Sequence, residues 1–184
     1  MFKHYADEKH EKQAEEFIAS LGKFVIAFEQ VCEQMRYDII CIFMREGLKN
    51  QGLAHVIIGD KTISELQEIL GALYNELRDQ DNEDRKMVKD LLKNISKLAH
   101  QRNILLHSSW NFWSESAQSE LYPTTVRFRS KQNKGADLEV HGYSASGVNR
   151  LIDEATNIQV YLQRLQNCLM KKGLKVEKEF KKLT

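Results

Sequence analysis

The stretch AHQRNILLHSSW brings Arg102, Asn103 and His107 within six residues at the end of an otherwise apolar helical stripe. A neutral imidazole can take the proton from a ribose 2′-hydroxyl, and an imidazolium can return one to a leaving oxygen. An arginine fork grips non-bridging phosphate oxygens and stabilises the charge that builds in the transition state. Asn103 would orient the imidazole or bind phosphate. Only RNA carries the internal 2′-hydroxyl nucleophile, so the trio points to a ribonuclease that needs no metal. Asn103 and His107 stand four apart on one ridge, with His100 a turn earlier. Arg102 and His107 are five apart, about 140° round an ideal helix, and converge only if the long arginine reaches round, which a second copy in a dimer would help. The plain alternative is an arginine that snorkels at a helix end beside a histidine satisfied by a neighbour.

Helical stripes must position these residues. From Phe17 to about Glu46 apolar positions recur at steps of three and four through Phe24, Phe28, Val31, Met35, Ile39 and Ile42, which predicts one long helix stopped by Gly47 or Gly52. An apolar link, LAHVIIGDK, follows. Thr62 and Glu65 form a capping-box pattern ahead of Ile63, Leu66, Leu70, Leu73 and Leu77, a second helix. The charged connector RDQDNEDRK reads as a solvated turn. A third stripe runs Val88, Leu91, Ile95, Leu98 and Leu105, and its register passes through Arg102, a costly place for a charge unless it is paired, snorkels or faces a cleft.

Beyond Trp110 the period changes to two. VRFRS and DLEVH alternate on either side of Asn133, Lys134 and Gly135, predicting a hairpin. Leu151, Ala155, Ile158, Leu162, Leu165 and Leu169 form the fourth helix, with Ser144 or Ser146 as N-cap. The expected fold is all-α, an antiparallel four-helix bundle with a β-hairpin inserted between the third and fourth helices. One domain over 1–184 is expected, its core about 17–170, with a polar N-terminal extension and a weakly structured basic tail, GLKVEKEFKKLT.

Motif and context together resemble the HEPN family. RNILLH fits that family's pattern of an arginine, a polar residue, three variable residues and a histidine, late in the third main helix of a four-helix domain. The resemblance implies a homodimer whose two Arg/His pairs meet in one cleft and cut single-stranded RNA without a metal or cofactor. It would make Arg102 the phosphate-binding catalytic arginine, Asn103 the polar position after it, and His107 the catalytic histidine. It also implies an acid on the first helix, Glu29 or Glu33, between which the sequence does not choose. Such proteins often act as toxins or in defence against phage and plasmids, held in check by an antitoxin or regulator. A subset carries a tyrosine two residues after the histidine; Ser109 stands there instead. Other members are silent in catalysis and serve as nucleotide-binding or interaction modules, the alternative reading here.

With 27 basic against 26 acidic residues the net charge is +1, so the molecule as a whole is no polycation for nucleic acid. Positive charge concentrates at Arg127, Arg129, Lys131 and Lys134 in the hairpin, and at Lys172, Lys175, Lys178, Lys181 and Lys182 in the tail. Phe128, Trp110, Phe112, Trp113 and Tyr122 lie nearby in sequence, either to stack unpaired bases or to fix the hairpin to the helices. Cys32, Cys41 and Cys168 are odd in number and sit in apolar stripes, which predicts reduced core thiols. No zinc-binding His spacing, glycine-rich phosphate loop or serine elbow occurs. The longest apolar run, Ile39 to Met44, is too short to span a membrane, and the polar N-terminus has no secretory apolar region, so a cytoplasmic protein is expected.

Overall fold

A computed structural model describes residues 8–78, 80–113, 121–131, 135–171 and 173–181. These residues are mostly helical, with a small antiparallel sheet. The helices are α1 (Glu8–Arg45), α2 (Gln51–Ile58), α3 (Ile63–Glu76), α4 (Asn82–His107), α5 (Ala145–Met170) and α6 (Val176–Lys181); the strands are β1 (Ser109–Trp113), β2 (Tyr122–Lys131) and β3 (Gly135–Gly142). The four predicted stripes become α1, α3, α4 and α5.

Four expectations are corrected. The apolar link is helical: Asn50 caps α2 by accepting from the Gly52 N–H at 2.9 Å, and Ala54 and Ile58 are buried. The hairpin is a three-stranded sheet in the order β1-β2-β3. The tail folds as α6, where Val176 and Phe180, four residues apart, are both buried. The charged connector is also less solvated than expected. Its Asp84 is fully buried in the first turn of α4, accepting from the Glu177 N–H at 2.9 Å.

The chain forms two compact units, and α1, α4 and α5 each contribute a segment to both. The first holds the described residues of 1–26 together with 100–153. Its packing centre is Phe17, whose ring meets Trp110 edge-on at 5.0 Å and Phe112 at 6.0 Å. Trp110 also donates its indole N–H to the Leu105 carbonyl at 2.9 Å, tying β1 to the end of α4. Pairing of β1 with β2 sets Trp110 opposite Thr125 and Phe112 opposite Pro123. Facing residues share one side of an antiparallel pair, so these four lie toward Phe17 while Ser109, Asn111 and Val126 take the other side.

The second unit holds the described residues of 27–99 and 154–184. Val31, Met35, Ile39 and Ile42 of α1, Leu66 and Leu70 of α3, Val88, Leu91, Ile95 and Leu98 of α4, and Ile158, Leu162 and Leu165 of α5 are buried there, as their periodicity predicts. Gly71 lets α3 approach α4: a Cβ there would stand 3.2 Å from the Leu92 side chain, and Gln67 donates across to the Leu92 carbonyl at 2.7 Å. Gly47, at φ 104°, takes the left-handed turn that closes α1.

The capping box at α3 forms as its spacing predicts. Thr62 Oγ1 accepts from the Glu65 N–H at 3.4 Å, while Glu65 Oε2 accepts from the Thr62 N–H at 2.8 Å. The Thr62 N–H and its hydroxyl both donate to Glu65 Oε2 at 2.8 Å and, with Lys61 at 3.0 Å, pull the Glu65 carboxyl down to about 2. A depressed acid stabilises the fold above its unfolded midpoint, and that contribution is lost as pH falls through about 2. Thr62→Ala leaves the backbone bond but removes the hydroxyl, so the Glu65 midpoint in an NMR titration should rise toward the ordinary carboxylate range. An unmoved midpoint would show that the hydroxyl contributes nothing.

Candidate active site

Arg102, Asn103 and His107 occupy the last two turns of α4, in the first unit. The helix ends there because Ser109 enters β1, so His107 is its last residue and stands exposed. Leu98 and Leu105 flank Arg102 along the stripe and are fully buried, whereas Arg102 is half-buried with its Nε shielded from solvent. The aliphatic stem thus follows the apolar register while the head emerges at the rim.

The head turns toward His107. Arg102 Nη1 lies 3.4 Å from His107 Nε2 and 3.3 Å from Asn103 Oδ1. The five-residue gap is therefore bridged within one chain. An arginine only donates, so His107 Nε2 accepts in this contact and the neutral ring carries its proton on Nδ1. Both bonds are at the long end of the hydrogen-bond range. A phosphate oxygen is a stronger, charge-assisted acceptor for the same guanidinium. Its arrival would draw Arg102 off His107 and leave an unprotonated Nε2 at the helix end, beside the phosphate.

The other candidates are more scattered. Arg127 is half-buried on β2 and faces Glu139 of β3, and Arg129 holds the register position opposite Asp137. Acidic residues on the neighbouring strand thus stand across from both arginines, a compensation that strand pairing creates and a linear reading of β2 does not reveal. The side chains of Arg129 and Lys131, and the whole of Lys134, lie outside the described residues, as do Lys172 and Lys182. In the tail, Lys175 pairs with Asp81 at 3.0 Å, and Lys181 pairs with Glu177. Glu29 and Glu33 belong to the second unit, where Glu33 pairs with Arg36 at 3.3 Å.

Of the aromatics, Trp110 and Phe112 pack on Phe17, whereas Tyr122 is 57% exposed. The side chains of Trp113 and Phe128 lie outside the described residues. Cys32, Cys41 and Cys168 are buried and free. Burial, and secondarily the charge of Asp38, pushes the Cys41 thiol up, which suppresses its thiolate. Among the described residues no cluster of three or more His, Cys, Asp or Glu side chains is placed to hold a metal ion, and no helix is long and apolar enough to cross a membrane. Compared with protein-family models, curated proteins and solved structures, the chain matches none.

Proposed function

We propose that this chain is a HEPN-type endoribonuclease that cuts single-stranded RNA without a metal, with Arg102 and His107 as its catalytic pair. The observation that carries the reading is the 3.4 Å approach of Arg102 Nη1 to His107 Nε2 within RNILLH, at an exposed helix end. In this reading α1, α3, α4 and α5 are the four helices of an antiparallel HEPN-like bundle, with the sheet inserted before the last.

His107 takes the 2′-hydroxyl proton as O2′ attacks phosphorus, the P–O5′ bond breaks, and a protonated imidazole returns a proton to O5′. Arg102 leaves His107 for the non-bridging oxygens, and Asn103 fixes the guanidinium. Base and acid are both needed in one turnover, which is met best by two copies of the pair in a homodimer cleft. Arg127, Arg129 and Lys131 of β2, with Lys134 further along the sequence, would track the RNA backbone. A cytoplasmic effector of this chemistry fits a toxin or an antiviral defence protein restrained by an antitoxin or regulator.

The test is incubation with labelled single-stranded RNA in excess EDTA, with mapping of product ends and light scattering on the same sample. The expected products end in a 2′,3′-cyclic phosphate and a 5′-hydroxyl, and the particle mass is that of a dimer. Products ending in a 5′-phosphate would overturn the 2′-hydroxyl mechanism, and a monomer that cleaves would overturn the composite cleft. A dimer that binds RNA without cutting it would favour a non-catalytic module of the same fold.

A further inference from the structure

An open cleft of about 480 Å³ lies in the first unit, bordered by Gln101, Tyr122, Gly142, Tyr143 and Arg150. Gln101 is the residue before Arg102 on α4. We propose that this cleft is a nucleotide subsite: Tyr122 stacks an unpaired base, Gln101 hydrogen-bonds the base edge, and Arg150 holds the attached phosphate. As a stretch of the RNA path, the subsite rests on the ribonuclease reading above.

Backbone geometry sets the platform. Tyr122 opens β2 and Gly142 closes β3, with Gly142 paired to Thr124. A Cβ on Gly142 would fall 2.2 Å from Tyr122 Cε1 and 2.7 Å from its Cζ, so the ring rests against bare backbone that only glycine supplies at this spacing. The ring is nonetheless 57% exposed, leaving aromatic surface for the cleft. Aromatic surface beside a guanidinium and an amide is the combination that holds unpaired bases.

The polar groups are available. Among the described residues the side chains of Gln101, Tyr122 and Arg150 have no hydrogen bond or ion pair. The Ser144 hydroxyl, by contrast, is already used, accepting from the Gly147 N–H at 3.0 Å as the cap of α5. Exposed long side chains without partners normally spread into solvent; these converge on one cleft whose volume lies in the roughly 300–1,000 Å³ range of small-ligand sites.

The full chain is titrated with adenosine and uridine 3′-monophosphates and with ribose 5-phosphate, followed by NMR shifts and calorimetry. At least one mononucleotide should bind about tenfold more tightly than ribose 5-phosphate, since the sugar phosphate lacks the stacking base. Tyr122→Ala should weaken that binding about tenfold, while Tyr122→Phe keeps it. Gly142→Ala should weaken it similarly by pushing the ring aside, a substitution that a strand tolerates, so it remains informative if Tyr122→Ala unfolds. No mononucleotide binding, or binding unchanged by both Tyr122→Ala and Gly142→Ala, overturns the subsite. Displacement of the mononucleotide by a single-stranded oligoribonucleotide assigns the cleft to the RNA path; failure of displacement overturns that assignment in favour of a free nucleotide. Binding without cleavage would overturn the ribonuclease reading and keep the subsite; cleavage without binding does the reverse.

Discussion

His107→Ala should lower metal-free cleavage of single-stranded RNA by about 10²–10⁴-fold, the contribution of a positioned general acid or base. His107 is exposed at the last turn of α4, and its side-chain contact is the long bond from Arg102, so the fold should survive. A thermal melt that superimposes on that of the unaltered chain is therefore the control that makes the loss interpretable. Arg102→Lys separates charge from shape. The ammonium keeps one positive charge but has no fork to hold Asn103 and a phosphate together, and a loss of about 10²–10³-fold is expected. Lysine activity close to that of arginine would mean that charge alone is needed. Full activity in His107→Ala would remove the catalytic pair from consideration.

The sequence predicted what periodicity controls. Val88, Leu91, Ile95, Leu98 and Leu105 announced α4 and are all buried, and Thr62 with Glu65 announced the start of α3. Arg102 stood out because it interrupts that apolar stripe, and the structure shows the compromise of a shielded stem and Nε with Nη1 reaching His107. Short elements were harder to read because their signals are borrowed from neighbours. SWNFW alternates correctly for a strand, yet five residues carry little periodicity, and β1 takes its form from pairing with β2 and from the packing of Trp110 on Phe17. Five of the eight residues of α2 are apolar, and Leu53, Val56 and Ile57 among them are exposed, so the segment offers no continuous polar face by which to recognise a helix. Phe180 and Val176 four residues apart were the available signal for α6, masked by the lysines around them. Contacts that depend on register, Arg127 opposite Glu139 or Tyr122 beside Gly142, exist only once the strands pair.

The second large effect lies in the other unit. Asp38 of α1 has no solvent exposure; its Oδ1 accepts from Gln34 Nε2 at 3.2 Å, while Oδ2 is buried without a hydrogen-bond partner among the described residues. Gln34 Nε2 also turns to Gln166 Oε1 at 3.4 Å, so this donor to the carboxyl is shared. Burial therefore raises the Asp38 carboxyl well above its ordinary range, with the Gln34 bond opposing weakly. The sign follows from proton linkage. Between the unfolded midpoint near pH 4 and the raised folded midpoint, the folded chain holds a proton that the unfolded chain has released, so stability falls as pH rises. Asp38→Asn keeps the shape and the carbonyl acceptor but cannot ionise. Its stability in urea unfolding, relative to the unaltered chain, should climb by about 1.4 kcal/mol per pH unit from near pH 4 until the folded midpoint is passed. The variant's stability relative to the unaltered chain should therefore be greater at pH 7 than at pH 4. The depressed acids Glu65 and Asp81 give the opposite slope, but they are common to both chains and cancel in the difference. Parallel stability curves from pH 4 to 7 would mean that Asp38 is solvated or paired in the folded chain, and that burial does not control its proton.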